Sequence, residues 1–171
     1  MSMIKVNLKI FSVLTFLLLV SCTKNIWLSN GVLRPKNPKF TMSKENFTPT
    51  PLLNTEYLYT YIGKSKYENS TLKSFIGFYP DGRMILFAIE DSNVSKIDSI
   101  SSWKNASRIG YFKTIDDKLE YQYYEQYGGG EYINQKAVLK KDTIIKFKTF
   151  RMLTKKEVRY DTLVLSKYKL R

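Results

Sequence analysis

Side chains able to do acid–base, nucleophilic or metal chemistry are scarce in this sequence. Its 171 residues include one cysteine, Cys22, and no histidine. Histidine is the residue most often used as a general base near neutral pH and the commonest metal ligand, so several enzyme classes lose their usual apparatus. Because a single thiol cannot form an internal disulfide, the fold must be stable through packing alone.

The most conspicuous carboxylates form two adjacent pairs, Glu90-Asp91 and Asp116-Asp117. Neighbours in a strand point to opposite faces, and neighbours at a turn are both solvated. Acid–base hydrolysis needs two carboxylates that converge on one bond, roughly 5 to 10 Å apart. We therefore predict a protein that is not an enzyme and has no cofactor and no metal site. A hydrolase acting through Glu90 and Asp91 is the alternative.

The N-terminal segment has the layout of an export signal. Lys5 and Lys9 precede an apolar run of 11 residues, from Ile10 to Val20. That run is too short to cross ~30 Å of hydrocarbon as a helix, which needs about 20 residues. A basic start, a short apolar core and a small residue at the cleavage point are typical of secretory signals. We predict that residues 1–21 are removed and take no part in the fold.

Leu19-Val20-Ser21-Cys22 ends this run and resembles the lipobox of bacterial lipoproteins. The resemblance implies that the Cys22 thiol receives a diacylglycerol, that the chain is cut before Cys22 and that the new amine is acylated. Acyl chains contribute roughly 0.8 kcal/mol per buried CH₂, and two or more anchor a protein stably. The predicted partner is thus membrane lipid, joined covalently to Cys22. The alternatives are a plain signal peptide with an incidental cysteine and an uncleaved N-terminal helix.

The mature chain is strongly basic. Residues 1–21 hold two of the 28 basic residues and none of the 15 acidic ones, which leaves about +11. The basic residues are scattered along the chain, which favours solvated faces and protected strand edges over one concentrated site. Because export separates the domain from nucleic acid, no nucleic-acid partner is predicted.

Residues 22–53 are predicted to form a tether between the anchor and a folded domain. Four of the five prolines, at positions 35, 38, 49 and 51, fall in this segment. Proline-rich segments favour extended conformations of roughly 3.1 Å per residue. The tether is too apolar for a wholly free linker at five positions, Ile26, Trp27, Leu28, Val32 and Leu33. We therefore expect part of it to pack onto the domain or the membrane interface.

Residues 54–171 are predicted to form one all-β domain, because short alternating segments are separated by turn residues and show no helical period. Pro80-Asp81-Gly82 is the clearest turn: proline sets φ, aspartate bonds its own backbone and glycine takes the positive φ. The predicted strands cover residues 56–62, 72–79, 83–89, 108–114, 118–126, 131–139, 143–150 and 158–168. Eight strands in simple succession predict an antiparallel meander or an up-and-down barrel, which removes exposed sheet edges. The segment 92–104 is either a short helix or an irregular loop.

Alternation assigns the strand residues to two faces. The expected inward residues are Ile76, Phe78, Met84, Leu86, Ala88, Ile109, Tyr111, Leu119, Tyr121, Tyr123, Ile145, Phe147 and Val164. The hairpin 72–89 is also apolar on its other face, through Phe75, Tyr79, Ile85, Phe87 and Ile89. We expect cover there from Trp27 and Leu28 of the tether, from the segment 92–104 or from a second molecule.

Phe78-Tyr79-Pro80-Asp81-Gly82-Arg83-Met84, followed by a serine-rich connection into Arg108-Ile109-Gly110-Tyr111-Phe112, is similar to the lipocalin-like small lipoproteins of Bacteroidota. The resemblance covers about residues 55–170 and implies a lipocalin-like barrel with either a ligand cavity or a filled core. Thr23-Lys24-Asn25 stand where a surface-export signal would have acidic residues. This departure favours the periplasmic face of the outer membrane over exposure at the cell surface.

We predict a membrane-anchored, non-catalytic envelope lipoprotein that binds a small apolar ligand or an envelope component. The residues expected to line its ligand site are Phe78, Met84, Tyr111, Tyr121 and Tyr123. In the alternative, the protein is a structural or interaction subunit of an envelope complex. Its expected docking residues for a partner protein are then Phe75, Ile85 and Phe87.

Overall fold

The computed structural model describes residues 25–28, 33–43, 50–62, 71–126, 130–152 and 155–171, with side chains except over 147–160. The predicted signal and Cys22 lie outside the described residues. The chain divides into two compact units, Met1–Pro38 and Lys39–Arg171. In the first unit, strand β1 (Asn25–Trp27) pairs antiparallel with strand β2 (Leu33–Pro35).

The second unit contains a closed antiparallel barrel of eight strands. These strands are β3 (Tyr57–Tyr61), β4 (Leu72–Phe78), β5 (Arg83–Glu90), β6 (Arg108–Ile115), β7 (Lys118–Glu125), β8 (Glu131–Lys140), β9 (Thr143–Met152) and β10 (Lys155–Lys169). Each strand pairs with the next along the chain, and β10 closes the barrel against β3. The prediction of an all-β, eight-stranded barrel is confirmed.

The barrel has two different ends. Tight turns follow β4, β6 and β8 at one end, which we call the turn end. At Pro80-Asp81-Gly82 the Gly82 φ is +84°, and Tyr79 N–H donates to the Arg83 carbonyl at 2.8 Å. Asp116 and Asp142, at the other two turns, also have positive φ, which a short polar side chain tolerates. Strands β3, β5, β7 and β9 run towards the opposite end, which we call the mouth.

Large apolar side chains pack together inside the barrel and form the interior cluster. Its buried members are Leu53, Tyr59, Ile76, Phe78, Met84, Phe112, Leu119, Tyr121, Ala137, Leu139, Ile144 and Leu163. The Phe78 ring meets Phe112 edge-on at 4.9 Å and Tyr59 at 5.9 Å. Just before β3, Asn54 N–H donates to the Tyr59 hydroxyl at 2.8 Å. The aromatic rings therefore fill the lower part of the barrel, towards the turn end.

On three strands, β6, β9 and β10, the inward residues are shifted by one position from the predicted ones. Phe112, Ile144 and Leu163 belong to the interior cluster, whereas Tyr111, Ile145 and Val164 do not. Ile109, also predicted inward, packs on the outside. These strands carry apolar residues at consecutive positions, so alternation alone cannot choose the face. The predicted inward placement of Ile76, Phe78, Met84, Leu119, Tyr121 and Tyr123 is confirmed, and the Phe147 side chain lies outside the described residues.

A second apolar cluster lies on the outer face of β4 and β5, beneath a covering segment. The covering segment consists of a 3₁₀ turn at Asp91–Lys96, the single-turn helix α1 (Ile97–Ile100) and the residues up to Ala106. The buried members of this outer cluster are Leu58, Phe75, Ile85, Phe87, Ile89, Ile97, Ala106 and Ile109. The segment 92–104, one of the three covers expected from the sequence, therefore packs on this hairpin.

Part of the predicted tether packs on the barrel as a strap, residues 39–43. Lys39 N–H donates to the Tyr132 hydroxyl at 2.6 Å, near the start of β8. The Phe40 ring meets the rings of Tyr111 and Tyr132 edge-on, at 5.3 and 5.2 Å. The ordered barrel unit thus begins well before residue 54.

Candidate functional site

The inward residues change from apolar to polar and aromatic towards the mouth. Register and alternation place Tyr61 on the same face as Tyr59, and Arg108 on the same face as Phe112. We use the name mouth layer for seven described residues with this inward placement: Tyr61, Arg108, Tyr121, Tyr123, Glu125, Lys146 and Asp161. Lys148, Glu157 and Arg159 share the inward register of β9 and β10, and their side chains lie outside the described residues. Tyr121 belongs to the interior cluster as well, and Tyr61 and Tyr123 pack against that cluster.

Charged side chains are drawn into this layer from four strands. Arg108 Nε lies 2.7 Å from Glu125 Oε2, and their side chains are 21% and 20% exposed. Lys146 is 5% exposed and lies directly opposite Asp161 in the β9–β10 register. The Arg108 Nε and Asp161 Oδ2 atoms are both shielded from solvent. Burying charges is costly unless they are neutralised, and the layer supplies opposite charges side by side.

Burial raises the pKa of the Tyr61, Tyr121 and Tyr123 hydroxyls. The Asp161 carboxylate raises the pKa of Tyr61 and Tyr121 further, whereas Arg108 opposes the shift at Tyr61. The rings of Tyr121 and Tyr123 stack at 6.2 Å, with an angle of 24° between their planes. At neutral pH all three hydroxyls are protonated and are available as hydrogen-bond donors.

Among the side chains that the structure describes, the mouth layer therefore combines aromatic surface, hydroxyl donors, cations and carboxylates above an apolar base. Small-molecule sites are typically lined by apolar and aromatic side chains with a few fixed polar groups that orient the ligand. The arrangement can hold a small amphipathic molecule through stacking, hydrogen bonds and ion pairing.

Most of the predicted ligand residues lie in the barrel interior. Phe78, Met84 and Tyr121 are almost completely buried, and Tyr123 is half-buried in the mouth layer. The inward placement of Tyr111 is wrong, because its ring lies outside, 5.3 Å from Phe40 and 5.7 Å from Trp103. Tyr111 points outward because its neighbour Phe112 faces inward on β6, one position from the predicted register.

The predicted docking residues lie together in the outer cluster. Phe75, Ile85 and Phe87 are each at most 2% exposed. The Phe75 and Phe87 rings stack at 5.6 Å, and Tyr168 meets Phe75 edge-on at the same distance. While the covering segment is in place, these side chains offer another molecule almost no surface.

The carboxylate pairs lie at opposite ends of the barrel. Near the mouth, Asp91 Oδ1 forms an ion pair with Lys73 Nζ at 2.6 Å. Glu90 Oε2 accepts a hydrogen bond from Asn93 Nδ2 at 3.2 Å in the same region. Asp116 and Asp117 are exposed at the turn end. The two pairs therefore do not converge on one point. In the part of the chain that the structure describes, no group of three or more His, Cys, Asp or Glu residues could hold a metal ion.

The sequence reading missed four charged residues of the site, Arg108, Glu125, Lys146 and Asp161. One signal for Glu125 was present, since it shares its face of β7 with Tyr121 and Tyr123. The other three residues, Arg108, Lys146 and Asp161, lie on β6, β9 and β10. On these strands the predicted inward residues are one position away from the observed ones. Consecutive apolar residues on these strands thus explain both errors: the wrong inward apolar residues and the missed inward charged residues.

The described residues also form a cleft of about 370 Å³ at the turn end, lined by Thr55, Glu56, Tyr79, Pro80, Lys169, Leu170 and Arg171. Its charged groups, Glu56, Lys169 and Arg171, are exposed. No predicted ligand residue borders this cleft, so the mouth layer remains the candidate site.

Comparisons of the sequence with protein-family models, with curated proteins and with solved structures find no match. Among the described residues, no helix is both long and apolar enough to cross a bilayer.

Proposed function

We propose that the protein is a membrane-anchored, non-catalytic binding module of the cell envelope that takes up a small amphipathic ligand at the mouth layer. One observation carries the proposal: the inward, largely buried placement of Arg108, Glu125, Lys146 and Asp161 at one end of an apolar barrel. Apolar residues of similar size would serve stability as well or better than such a layer. A ligand that uses these groups would account for their presence at the mouth.

The ligand in this proposal sits on the mouth layer and does not enter the depth of the barrel. Phe78 and Met84, directly below, are fully buried and packed against other side chains. Displacing them would open a void, at a cost of several kcal/mol for residues of this size. Tyr61, Tyr123 and the Arg108–Glu125 pair retain exposed surface and supply the contacts.

A test of the ligand site compares two ion pairs between β6 and β7. Arg108–Glu125 faces inward at the mouth, whereas Lys113–Glu120, with Nζ and Oε2 3.1 Å apart, faces outward. We expect native mass spectrometry of gently purified protein to show a bound small molecule. The Arg108→Met/Glu125→Leu variant should lose it, and the control Lys113→Met/Glu120→Leu should keep it. Equal retention by both folded variants would count against the mouth as the site.

The anchor in this proposal is the acylated Cys22. Its support is the sequence Leu19-Val20-Ser21-Cys22 behind a basic start and a short apolar run. Anchoring through Cys22 would place the barrel outside the cytoplasm, at the periplasmic face of the outer membrane. Mass spectrometry should find a chain that begins at residue 22 with a diacylglycerol and a further acyl group. Cys22→Ser should abolish processing and palmitate labelling, and an unmodified thiol in freely soluble native protein would refute the anchor.

A second candidate function is that of an interaction subunit in an envelope complex. It is favoured by the aromatic residues Phe75, Phe87 and Tyr168, which lie beneath a covering segment with one helical turn. Docking would require that segment to move away. Pull-down with Ile85→Lys and Phe87→Lys, each checked for folding, should lose a specific partner, and unchanged partners would exclude the role.

A further inference from the structure

The hairpin of β1 and β2 has two unlike faces. Residues that lie opposite each other in an antiparallel pair share a face, as do alternate residues along one strand. One face, which we call the open face, is therefore formed by Asn25, Trp27, Leu33 and Pro35. The other face carries Ile26 and Arg34, and Arg34 is only 8% exposed. The hairpin thus presents one apolar face to solvent, while Arg34 on the other face is buried.

Trp27 dominates the open face. It is 75% exposed, the highest value among the large apolar residues that the structure describes. Leu33, directly opposite, is partly exposed and extends the apolar surface across the hairpin. A single exposed apolar side chain is common on protein surfaces. The position of Trp27 in the chain, however, gives this indole a defined surface to meet.

Trp27 follows Cys22 by five residues. An extended chain spans at most about 3.6 Å per residue, so the two Cα atoms are within about 18 Å of each other. Acylation would hold Cys22 at the lipid headgroups and would confine the hairpin to the neighbourhood of the bilayer surface. Contact between Trp27 and the bilayer would then be intramolecular in effect, so a side chain too weak to bind a membrane alone can stay bound.

The chemistry of the hairpin matches the membrane interface. Tryptophan combines an apolar ring with one N–H donor, and it is enriched where hydrocarbon meets the headgroups. Lys24 directly precedes β1 in the sequence, and the exposed Lys36 directly follows β2. Because Asn25 pairs with Pro35, Lys36 adjoins the end of the hairpin that is nearest to Cys22 along the chain. Basic residues beside an apolar face attract anionic lipids.

We infer that the open face, with Trp27 at its centre, sits in the headgroup region of the bilayer when Cys22 is acylated. The inference rests on the proposed anchor and adds a second, non-covalent attachment five residues further along the chain. The occupant of the face is lipid, not the barrel or a second protein. Two attachments fix the orientation of the hairpin to the bilayer, whereas one flexible anchor leaves it free to turn.

The test follows tryptophan fluorescence, because the chain has two tryptophans, Trp27 and Trp103. Trp103→Phe leaves Trp27 as the reporter, and Trp27→Phe leaves Trp103, which packs against the outer cluster, as the matched control. Both acylated proteins are placed in vesicles of phosphatidylethanolamine and phosphatidylglycerol, with and without brominated phosphatidylcholine. Brominated lipid should quench Trp27 at least twofold, and Trp27 emission should move to shorter wavelength than in detergent-free buffer for the Cys22→Ser protein. Trp103 should change in neither respect.

The outcomes separate the inference from the anchor. If mass spectrometry finds Cys22 acylated and Trp27 still emits as a water-exposed indole, the inference is overturned and the anchor stands. A blue-shifted Trp27 that brominated lipid does not quench would also overturn it, because protein would then cover the indole. Equal quenching of Trp103 would overturn it as well, since the contact would not be confined to the hairpin. Native protein without acyl groups on Cys22 would refute the proposed anchor and the inference with it.

A matched pair of charge variants tests the open face directly. In the Trp103→Phe protein, Leu33→Asp places a carboxylate beside Trp27 and should lower its quenching by brominated lipid at least twofold. Asn37→Asp makes the same change in charge at an exposed position just beyond β2 and should leave the quenching unchanged. Equal quenching in the two variants would overturn the inference. The comparison of Trp27 with Trp103 tests it even if Leu33→Asp disrupts the hairpin.

Discussion

The side-chain amide of Gln122 binds Thr41 in two directions. Its Oε1 atom accepts the Thr41 backbone N–H at 2.8 Å, and its Nε2 atom donates to the Thr41 hydroxyl at 2.9 Å. The same Nε2 atom donates to Asn134 Oδ1 at 3.0 Å. One buried residue of β7 thus joins the strap to the outer faces of β7 and β8.

We expect Gln122→Leu to lower the free energy of unfolding by about 1 to 3 kcal/mol, because it leaves buried donors and acceptors without their partner. Gln122 is 2% exposed, so the cost is not relieved by water. The measurement is urea unfolding followed by circular dichroism. Gln126→Ala, at an exposed position just after the same strand, should change stability by no more than about 0.5 kcal/mol. Equal losses in both variants would mean that the strap bonds add nothing.

Two glycines should respond differently to alanine. At Gly110 a new Cβ would collide with the backbone carbonyl of Gln122 and lie 2.9 Å from the Cα of Tyr123, and neither atom can move without shifting β7. At Gly77 it would meet side-chain ends, Leu170 Cδ1 at 2.6 Å and Leu58 Cδ2 at 2.9 Å, which can turn away. We expect Gly110→Ala to cost more than about 3 kcal/mol and Gly77→Ala about 1 kcal/mol.

Thermal unfolding of the two variants, followed side by side, checks this ranking. A Gly110→Ala protein as stable as Gly77→Ala would contradict the close approach of β6 and β7. The comparison is matched, because both glycines lie within strands of the barrel and both variants add one methyl group.

The strands were predictable because their turns are chemically distinct and their residues alternate with a period of two. Pro80-Asp81-Gly82 and the aspartates at 116 and 142 end strands for local reasons, which require no knowledge of the rest of the fold. Inward faces were predictable on β7, where Leu119, Tyr121 and Tyr123 alternate with Glu120 and Gln122. Local chemistry was sufficient in both cases.

The faces of β9 and β10 were not predictable in this way. Ile144 is followed by Ile145, and Leu163 by Val164, so both faces look equally apolar along the strand. The β9–β10 register sets Ile144 and Leu163 opposite each other, and closure of the barrel between β10 and β3 puts this face inside. Lys146 and Asp161 follow that choice into the mouth layer. A candidate site built from long-range register therefore cannot be derived from local patterns.

Phe78→Ala should be among the most destabilising substitutions in the barrel. The Phe78 ring is fully buried and contacts the rings of Tyr59, Phe112 and Tyr121, at 4.9 to 6.4 Å between centroids. Truncating a buried phenylalanine to alanine typically costs 3 to 5 kcal/mol, because the neighbours only partly fill the void. Urea unfolding gives the loss, and Ile115→Ala, at a position 54% exposed, should cost less than about 0.5 kcal/mol. A small loss at Phe78 would indicate a loosely packed interior.

Ile97→Lys should detach the covering segment from the outer cluster. Ile97 is 3% exposed within α1, so a lysine there would have to bury its charge or pull the segment away. We expect increased binding of the dye ANS and self-association, measured by light scattering, because Phe75 and Phe87 become accessible. Ser95→Lys, at an exposed position in the same segment, should leave both measurements unchanged. Unchanged dye binding by a folded Ile97→Lys protein would show that the segment is not the main cover.

Alkaline pH should unfold the protein through its buried tyrosines. Burial raises the pKa of Tyr59, Tyr61 and Tyr121 above the usual value of about 10 that applies in the unfolded chain. Because the folded state holds these protons more tightly, their contribution to stability is complete below pH 10 and is lost as the pH rises towards the folded-state pKa. The free energy of unfolding should therefore fall steeply above pH 10.

Tyr61→Phe should reduce that slope by about 1.4 kcal/mol per pH unit, because one fewer proton is released on unfolding. Tyrosine absorbance at 295 nm should show a late phase that coincides with loss of the β-sheet circular dichroism signal, and complete ionisation of all 13 tyrosines in a protein that is still folded would contradict their burial.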